Sequence, residues 1–401
     1  MIPRIKLLPF DYAIRNLGRS PKRLALVCGG SMLVSMLVLG AVAFARGMDS
    51  ALSSTGLVTN ALVVGSGSEE SLERSEIPPT TAGVLAASID GLAVVAGVPA
   101  VSPEIQVALP LTLEGAQSED ATEGTTAAAS SREAPPAIVR GFQNEAFLVH
   151  PQVRLVAGRW PDHGADEIAA APGALARVAG AQIGTRVIVA GTPFEIVGIF
   201  DAPGTTMHGE FWMRLDRVAQ LTQRTTHSCV VAALGSADMD DVDAFSSSRL
   251  DLETISMRES AYYARLGDFF APIRLLVIVT ALLVSSGGIL GGINAMYAAF
   301  SSRVREVGTL QALGFSRSAI AISLILESTV ACVAGALGAC LAATLLLDGI
   351  AIQFSMGSFG LQVDATAIAS ALVAGMSLGV LGALPAIFRC LSLPIPSALR
   401  S

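Results

Sequence analysis

The chain has 401 residues, of which 52% are hydrophobic and only 15% are charged, with a formal net charge of −7 at pH 7. Soluble globular domains carry roughly 25% charged residues, so the composition excludes a chain made only of such domains. A net acidic chain also gives no sign of nucleic-acid binding, which requires a basic surface.

The first segment, residues 1–23, mixes apolar and basic residues over Ile5–Ser20. This mixture predicts an amphipathic helix in the cytoplasmic membrane interface. The apolar run 24–45 follows, and it is long enough for a membrane span, which takes roughly 20 residues. A cleaved signal peptide ending near Ala41–Ala45 is the alternative, but signal peptides have apolar cores of only about 7–15 residues.

Residues 46–271 have the composition of a globular domain, with 28 acidic and 15 basic residues from Arg46 to Arg274. Of the five cysteines, only Cys229 lies in this region, so no disulfide can form within it. The segment 114–136 has few large apolar residues, which predicts a mobile loop.

Short alternating and β-branched runs in this domain predict strands, and runs of helical periodicity predict helices. The predicted strands are Ala61–Val64, Glu104–Leu113, Ile138–Phe142, Glu167–Ala170, two arms of a hairpin around Gly191, Phe211–Arg214, Cys229–Leu234 and Leu250–Ile255. The predicted helices are Pro79–Gly97, Asn144–Val149, Gly173–Val178, Arg214–Thr222, Met239–Ser247 and Arg258–Phe270, the last continuing into the next apolar run. The domain is therefore predicted to be α+β.

Three further apolar runs, 272–300, 319–347 and 365–388, are long enough to cross a bilayer. The predicted fold is a membrane protein with four transmembrane α-helices and a large extracytoplasmic α+β domain inserted between the first and second.

Basic residues determine the predicted orientation. They occur in 1–23, in the loop 301–318 and in the tail 389–401, whereas the loop 348–364 has none. Because basic residues are retained on the inside, the N- and C-termini and 301–318 are predicted to be cytoplasmic. The large domain and the short loop 348–364 are then extracytoplasmic.

The loop 301–318 is unusually patterned for a connector. Val304, Val307, Leu310 and Leu313 recur every three residues and predict an apolar stripe along a helix, with Arg305 and Thr309 on the other side. Gly314 stands where a helix C-terminus favours a left-handed residue. We therefore expect a short helix along the cytoplasmic face, held at both ends by membrane spans.

This segment, "RVREVGTLQALGFSRSAI" followed by Leu326-Glu327-Ser328, resembles the signature of FtsX/MacB-type ABC transporter permeases. The matching residues are Arg303, Arg305, Glu306, Gly308, Leu310, Ala312, Leu313, Gly314, Glu327 and Ser328. "AIRNLGRSPKR" near the start and "LPAIFRCLSLPIPSALR" at the end also resemble the family, although Phe388-Arg389-Cys390 replaces its usual small and basic residues. "VRGF" and the region through "EIVGIF" resemble its periplasmic core domain.

The resemblance implies a permease subunit in a bacterial plasma (inner) membrane. It implies that 301–318 is a coupling helix docking on a cytoplasmic ABC ATPase, which binds ATP and Mg, while this chain holds no cofactor. The coupling residues would be Arg303, Arg305, Glu306, Val307, Gly308, Leu310, Leu313 and Gly314. Further implied partners are a second permease subunit, in a homo- or heterodimer, membrane lipid and a periplasmic adaptor protein.

The implied function is export or extraction of a lipid-like, lipoprotein, peptide or amphiphilic substrate, driven by ATP hydrolysis that moves the outer domain. A regulator that activates an extracytoplasmic cell-wall hydrolase by the same movement is one alternative. A membrane-tethered receptor without an ATPase is another. The two lysines, Lys6 and Lys22, do not follow glycine, so the chain has no phosphate-binding P-loop and the energy source is expected in a separate polypeptide.

Two features of the spans have candidate roles. Glu327 is an ionisable residue within a span, for which a structural hydrogen bond and proton handling are both open. Glycines four residues apart predict close helix packing; they are Gly287, Gly288, Gly291, Gly292, Gly375 and Gly379. The four histidines are not spaced as a metal site, and no G-x-S-x-G nucleophile motif occurs, so neither a metal site nor a catalytic residue is predicted.

Overall fold

The computed structural model describes residues 21–114, 136–178, 180–301, 304–348, 350–354 and 357–392. Most of the N-terminal segment 1–23, nearly all of the loop 114–136 and the last residues of the tail, 393–401, lie outside the described residues, so the predictions made for them stay predictions. The described chain divides into two compact units. A membrane unit combines parts of 1–46, 271–350 and 361–401, and an outer unit combines 47–270 with 351–360.

The described helices and strands are numbered in chain order. The helices are α1 (Pro21–Thr55), α2 (Thr81–Ser88), α3 (Ala146–Val149), α4 (Pro172–Leu175), α5 (Leu215–Thr222), α6 (Met239–Ser248), α7 (Glu259–Ser301), α8 (Val304–Ala312), α9 (Arg317–Leu346) and α10 (Ala365–Ser392). The strands are β1 (Asn60–Gly65), β2 (Val94–Val95), β3 (Val98–Pro99), β4 (Val101–Leu113), β5 (Pro136–Phe142), β6 (Arg154–Gly158), β7 (Glu167–Ala170), β8 (Arg186–Val189), β9 (Thr192–Asp201), β10 (Phe211–Arg214), β11 (Cys229–Ala233), β12 (Thr254–Arg258), β13 (Ala351–Phe354) and β14 (Gly357–Gly360).

Four of the described helices, α1, α7, α9 and α10, are long and apolar enough to cross a membrane. The large α+β region lies between the first and second of them, as the sequence predicts. Helices α1 and α7 each run without a break from residues of one unit into residues of the other.

The outer unit is built on one ten-stranded sheet in the order β12-β1-β11-β4-β5-β10-β7-β9-β6, with β8 pairing β4 and β9. The β5–β10 and β7–β9 pairs are parallel and the others are antiparallel. Side chains of a strand alternate between faces, so the long central strand β4 sends Ile105 and Val107 into an apolar cluster. Its residues Glu104 and Gln106 therefore point to the opposite face, where they are also buried.

In the membrane unit, α9 and α10 are neighbours with a core rich in small side chains, including the fully buried Ala336, Ala339 and Ala371. Helix α1 is tied to both of them through serines. Ser31 Oγ donates to the carbonyl oxygen of Cys332 at 2.7 Å, and Ser35 Oγ donates to that of Ala371 at 3.1 Å. Hydrogen bonds of this kind replace the hydrophobic driving force that lipid removes.

Two sequence predictions for the outer unit are wrong. The helix predicted over Pro79–Gly97 ends at Ser88, because Gly91 adopts φ +88° and the valines after it form the β2–β3 hairpin, whose turn has positive φ at Ala96 and Gly97. The strand predicted over Leu250–Ile255 is a 3₁₀ turn over Leu250–Leu252 followed by β12. Strand β6 was not predicted. The β13–β14 hairpin was not predicted either, because the sequence analysis treated the whole of 348–364 as a loop.

Candidate functional site

The segment predicted to couple to an ATPase forms the short helix α8, between the long helices α7 and α9. One face of α8 packs into the apolar cluster of the membrane unit. Val307 is 5% exposed, and Val304 and Leu310 are partly buried against the same cluster as Ile320 and Leu324. Leu313, predicted on this stripe, is instead 69% exposed, because the helix ends at Ala312 and the chain turns there.

The turn after α8 is a Schellman motif. The amide of Phe315 donates to the carbonyl of Leu310 at 3.2 Å, the amide of Gly314 donates to that of Gln311 at 3.0 Å, and Gly314 has φ +88°. Left-handed backbone of this kind favours glycine. Ser316 then caps α9, accepting from the amide of Ala319 at 3.2 Å, so α8 is joined to α9 by a turn with defined hydrogen bonds.

The outward face of α8 carries Arg305, Glu306 and Thr309, all exposed. Neither Arg305 nor Glu306 forms an ion pair with any other described residue, and both side chains are exposed. Arg303 lies outside the described residues, and Gly308 is buried beside Val307. The helix therefore has a face held by its own chain and a charged face that is open.

Glu327 lies inside α9 and is 3% exposed. The adjacent Ser328, also part of the predicted signature, donates to the carbonyl of Gly379 on α10 at 2.7 Å. A Cβ at Gly379 would lie 2.6 Å from Thr329 Cα. The hydroxyl of Ser328 and the missing side chain of Gly379 thus hold α9 and α10 at close approach.

The glycines of the spans fall into two groups. A Cβ at Gly288, Gly292 or Gly375 would lie 2.5, 3.0 or 2.6 Å from Val34, Leu378 or Ala336 respectively. Apart from the adjoining backbone of α7, no atom of the described residues lies within 4 Å of such a Cβ at Gly287 or Gly291, so their side of α7 is open among those residues. Gly335, which was not predicted as a packing residue, makes the tightest approach, because its Cβ would lie 2.3 Å from the carbonyl oxygen of Cys28.

A buried cluster of ionisable groups in the outer unit was not predicted from the sequence. Its members are Glu104, Arg140, His150, Glu210 and Glu259, all at 2% exposure or less. Arg140 Nε and Nη2 each donate to the Glu210 carboxylate at 2.7 Å, and Arg140 Nη1 donates to Glu104 Oε2 at 2.5 Å. His150 Nε2 lies 2.8 Å from Glu104 Oε1, and since a carboxylate accepts, the histidine is the donor.

These groups are held in place by elements that are far apart in the sequence. Glu104 and Arg140 come from the neighbouring strands β4 and β5, where Arg140 stands opposite Gln106. Glu210 directly precedes β10, and the indole Nε1 of Trp212 donates to it at 2.9 Å.

Glu259 connects the cluster to both long helices. It is the first residue of α7, and its Oε2 accepts from the amide of Leu57, just after α1, at 3.0 Å and from Asn60 Nδ2 at 2.8 Å. Its other oxygen lies 3.9 Å from His150 Nδ1, a buried nitrogen that has no hydrogen-bond partner among the described residues. The end of α1, the start of α7 and the central strands therefore meet at one polar centre.

The charges in this cluster shift one another's pKa. Burial alone raises the pKa of Glu104, but His150 and Arg140 outweigh it and lower that pKa to about 2. Burial disfavours the charged forms of Arg140 and His150, yet Glu210 raises the pKa of Arg140 and Glu104 raises that of His150. Burial raises the pKa of Glu259. Glu104 is therefore ionised at neutral pH and His150 favours its protonated form.

One signal in the sequence could have pointed to this cluster. Glu104 and Gln106 alternate with apolar residues in a predicted strand, which indicates a polar face but not whether that face is buried. Among the described residues no group of three or more histidine, cysteine or carboxylate side chains, this cluster included, is arranged so that it could hold a metal ion. His208, the histidine nearest to a motif, faces Asp201, with Nδ1 3.1 Å from Oδ1.

Comparisons with known proteins cover most of the chain. A family model of the MacB-like periplasmic core domain matches residues 24–245, and one of the FtsX-like permease C-terminal domain matches residues 278–395. The macrolide export ATP-binding/permease protein MacB of Hyphomonas neptunium is 28% identical over 235 residues, covering 51% of this chain and 33% of that protein. MacB of Shewanella oneidensis is 33% identical over 118 residues, covering 29% of this chain and 18% of that protein.

The chain thus spans a third or less of the length of these curated relatives. Among solved structures, the periplasmic region of MacB from Actinobacillus actinomycetemcomitans has a TM-score of 0.37 at 12% identity, covering 52% of this chain and 92% of that one. The extracellular domain of the noncanonic ABC-type transporter YknZ from Gram-positive bacteria has a TM-score of 0.35 at 13% identity, covering 49% of this chain and 99% of that one.

Proposed function

The chain belongs to the FtsX-like permease family of ABC transporters with a MacB-like periplasmic core domain, and we propose that it transmits the work of a separate ATPase to its outer unit. It is a multi-pass inner-membrane protein, and its described residues include four apolar helices long enough to cross a membrane. The proposed result of that work is export or extraction of a lipid-like, lipoprotein, peptide or amphiphilic substrate. The ATPase subunit would bind the ATP and Mg.

The two-faced helix α8 is the observation that carries this proposal. Its exposed Arg305 and Glu306 offer two charges to a protein surface, while Val307 is buried in the apolar cluster of the membrane unit. A force applied to the charged face therefore acts on the packed helices rather than bending a loose loop. The capped turn at Gly314 joins α8 stiffly to α9.

Movement of the membrane helices would reach the outer unit through continuous helices. Helices α1 and α7 extend from membrane-unit residues into outer-unit residues, and the Glu259 carboxylate binds the amide of Leu57 at the point where α7 begins and α1 has ended. A relative shift of these two helices would therefore act directly on the sheet that carries Glu104 and Arg140. We propose the termini and α8 to be cytoplasmic and the outer unit to lie across the membrane.

The second permease subunit is proposed to pack against the open side of α7, where a Cβ added at Gly287 or Gly291 would have no described atom within 4 Å apart from the adjoining backbone of α7. This side also carries the exposed Leu283 and Leu290, at 66% and 67% exposure. Small residues beside exposed leucines allow a second helix to approach closely in lipid.

The proposal is tested by purifying the chain with its cognate ABC ATPase and measuring ATP hydrolysis in lipid nanodiscs. The charge exchange Arg305→Glu with Glu306→Arg is expected to reduce co-purification and permease-dependent ATPase activity, because it reverses both charges on the docking face. Arg154→Glu, a charge reversal at an exposed position on β6 of the outer unit, is the matched control and should behave as wild type. Unchanged hydrolysis and co-purification in the charge-exchange variant would contradict the docking role of α8.

Export and regulation are then separated with the intact complex. Nucleotide-dependent release of a labelled amphiphile from vesicles supports export. ATP hydrolysis that depends on α8, without release of any labelled amphiphile, supports the alternative in which the outer unit regulates an extracytoplasmic partner.

A further inference from the structure

A cavity of about 750 Å³ lies in the outer unit, and none of its lining residues belongs to the buried charge cluster. One wall is the loop 67–71 with Arg74, and the other is a face of α7 formed by Tyr262, Arg265, Leu266 and Phe269. Residues three and four apart lie on one side of a helix, so these four side chains line the cavity together.

Hydrogen bonds hold both walls in place. The buried Tyr262 hydroxyl accepts from the amide of Leu72 at 3.3 Å, joining α7 to the loop. Ser75 Oγ accepts from the amide of Gly65 at 2.9 Å, and Arg224 Nη2 donates to the carbonyl of Ser75 at 2.8 Å. The cavity is thus formed before any ligand arrives, which is usual for small-molecule sites.

The cavity holds charges of both signs that do not satisfy one another. Arg74 and Arg265 are exposed, and neither forms an ion pair or side-chain hydrogen bond with the described residues. Glu70 and Asp268 line the same cavity and likewise have no ion pair with the part of the chain that the structure describes. Glu69 accepts from the amide of Gly67, at 3.2 Å. A ligand carrying both an anion and a cation would pair with both sets.

The cavity also has an apolar side, at the edge where α7 becomes apolar. Phe269 is 65% exposed and Ile255 is 37% exposed, and Leu266 lies between the charged positions on α7. Phe269 comes three residues before Pro272, where the apolar run 272–300 begins, a distance of about 5 Å along a helix. The charged positions of the cavity and the start of this apolar run therefore lie on one continuous helix.

We propose that this cavity binds the headgroup of a zwitterionic phospholipid of the surrounding bilayer, of the phosphatidylethanolamine type. Arginine binds phosphate through paired, charge-assisted hydrogen bonds, which assigns the phosphate to Arg74 and Arg265. The ammonium group pairs with Glu70 and Asp268. With three carboxylates against two arginines on its walls, the cavity disfavours a headgroup that carries the phosphate alone.

The test uses the purified full chain and native mass spectrometry, titrated with dihexanoyl phosphatidylethanolamine and, separately, with dihexanoyl phosphatidylglycerol. We expect saturable binding of one phosphatidylethanolamine per chain, tighter than phosphatidylglycerol. The double variant Arg74→Ala with Arg265→Ala should weaken this binding by about tenfold or more, because it removes both charge-assisted contacts to the phosphate. Arg154→Ala is the matched control, since Arg154 is exposed on β6 outside the cavity.

Equal binding of the two lipids by the wild-type chain, or equal phosphatidylethanolamine binding by wild type and the double arginine variant, overturns the proposal. If the double variant does not fold, Glu70→Gln with Asp268→Asn tests the ammonium side, and it should abolish the preference for phosphatidylethanolamine. The binding requires neither an ATPase nor Arg305, so failure of the proposed coupling function leaves this result unaffected.

Discussion

The outer unit and the membrane unit are held together by different kinds of interaction. In the outer unit, five ionisable side chains at 2% exposure or less form a connected set behind a mixed sheet. In the membrane unit, helices approach through glycine, alanine and serine, and two serines of α1 donate to carbonyls of α9 and α10.

The difference follows from the solvent. In water the outer unit can bury apolar surface on both faces of its sheet, and this burial can offset the desolvation of a few paired charges. In lipid that gain is absent, so close contact between backbones has to hold the helices together. A different kind of substitution should therefore destabilise each unit.

The largest expected effect is in the outer unit, at Arg140. Arg140→Met leaves the carboxylates of Glu104 and Glu210 buried without their cation, and breaking a buried pair in this way costs about 3–5 kcal/mol. The expected result is a strong fall in the unfolding temperature of the purified full chain, measured by intrinsic fluorescence. Arg154→Met, at an exposed position, should leave the unfolding temperature unchanged. Equal unfolding temperatures for both variants would mean that the cluster contributes nothing to stability.

The next effect is in the membrane unit, at Gly335. A Cβ there would lie 2.3 Å from the carbonyl oxygen of Cys28, so Gly335→Val has to push α1 and α9 apart, at about 1–3 kcal/mol for overpacking. We expect a lower unfolding temperature in detergent. Gly291→Val is the matched control, because nothing lies within 4 Å of a Cβ at Gly291.

The Gly291→Val variant also tests the proposed dimer interface. If a second subunit covers the open side of α7, Gly291→Val should reduce the dimer fraction on size-exclusion chromatography while leaving the unfolding temperature of the monomer unchanged. An intact dimer in the Gly291→Val variant would place the interface on another face.

Much of this fold can be predicted from the sequence, because its signals are long or local. Four apolar runs predict four membrane helices, and Phe211–Arg214 and Glu167–Ala170 are strands as predicted. The turn at Gly314 that follows the end of α8 was also predicted from one residue type, since left-handed backbone favours glycine.

The failures have long-range causes. Alternation in β4 indicates that Glu104 and Gln106 share a face, but only the arrival of β5, α3 and the start of α7 buries that face. The recurrence of apolar residues every three positions predicted Leu313 on the packed stripe of α8, whereas the capped turn begins there and leaves it exposed. Glycine spacing did not separate Gly288, which contacts Val34, from its neighbour Gly287, whose side of the helix is open.

The smallest expected effect is a pH dependence that belongs to the outer unit alone. Burial of the ring lowers the pKa of His150, but Glu104 and Glu259 together outweigh this burial and the repulsion by Arg140, so the pKa is raised. When a group's pKa is higher in the folded state, the group stabilises the folded state fully at pH values below its unfolded-state pKa, which is about 6.5 for histidine. This stabilisation is lost as the pH rises through the folded-state pKa. Glu104, with its pKa lowered to about 2, changes stability only at acidic pH, and Glu259, with its pKa raised by burial, acts in the same direction as His150.

The unfolding temperature of wild type should therefore fall as pH rises above about 6.5, and His150→Gln should flatten this slope. His163→Gln removes an exposed histidine of the same unit and should keep the wild-type slope. Because the membrane unit contains no histidine, the Gly335→Val variant should shift the whole curve downward without changing its shape. A pH slope that persists in His150→Gln would assign it to other groups and separate the polar centre from the pH response.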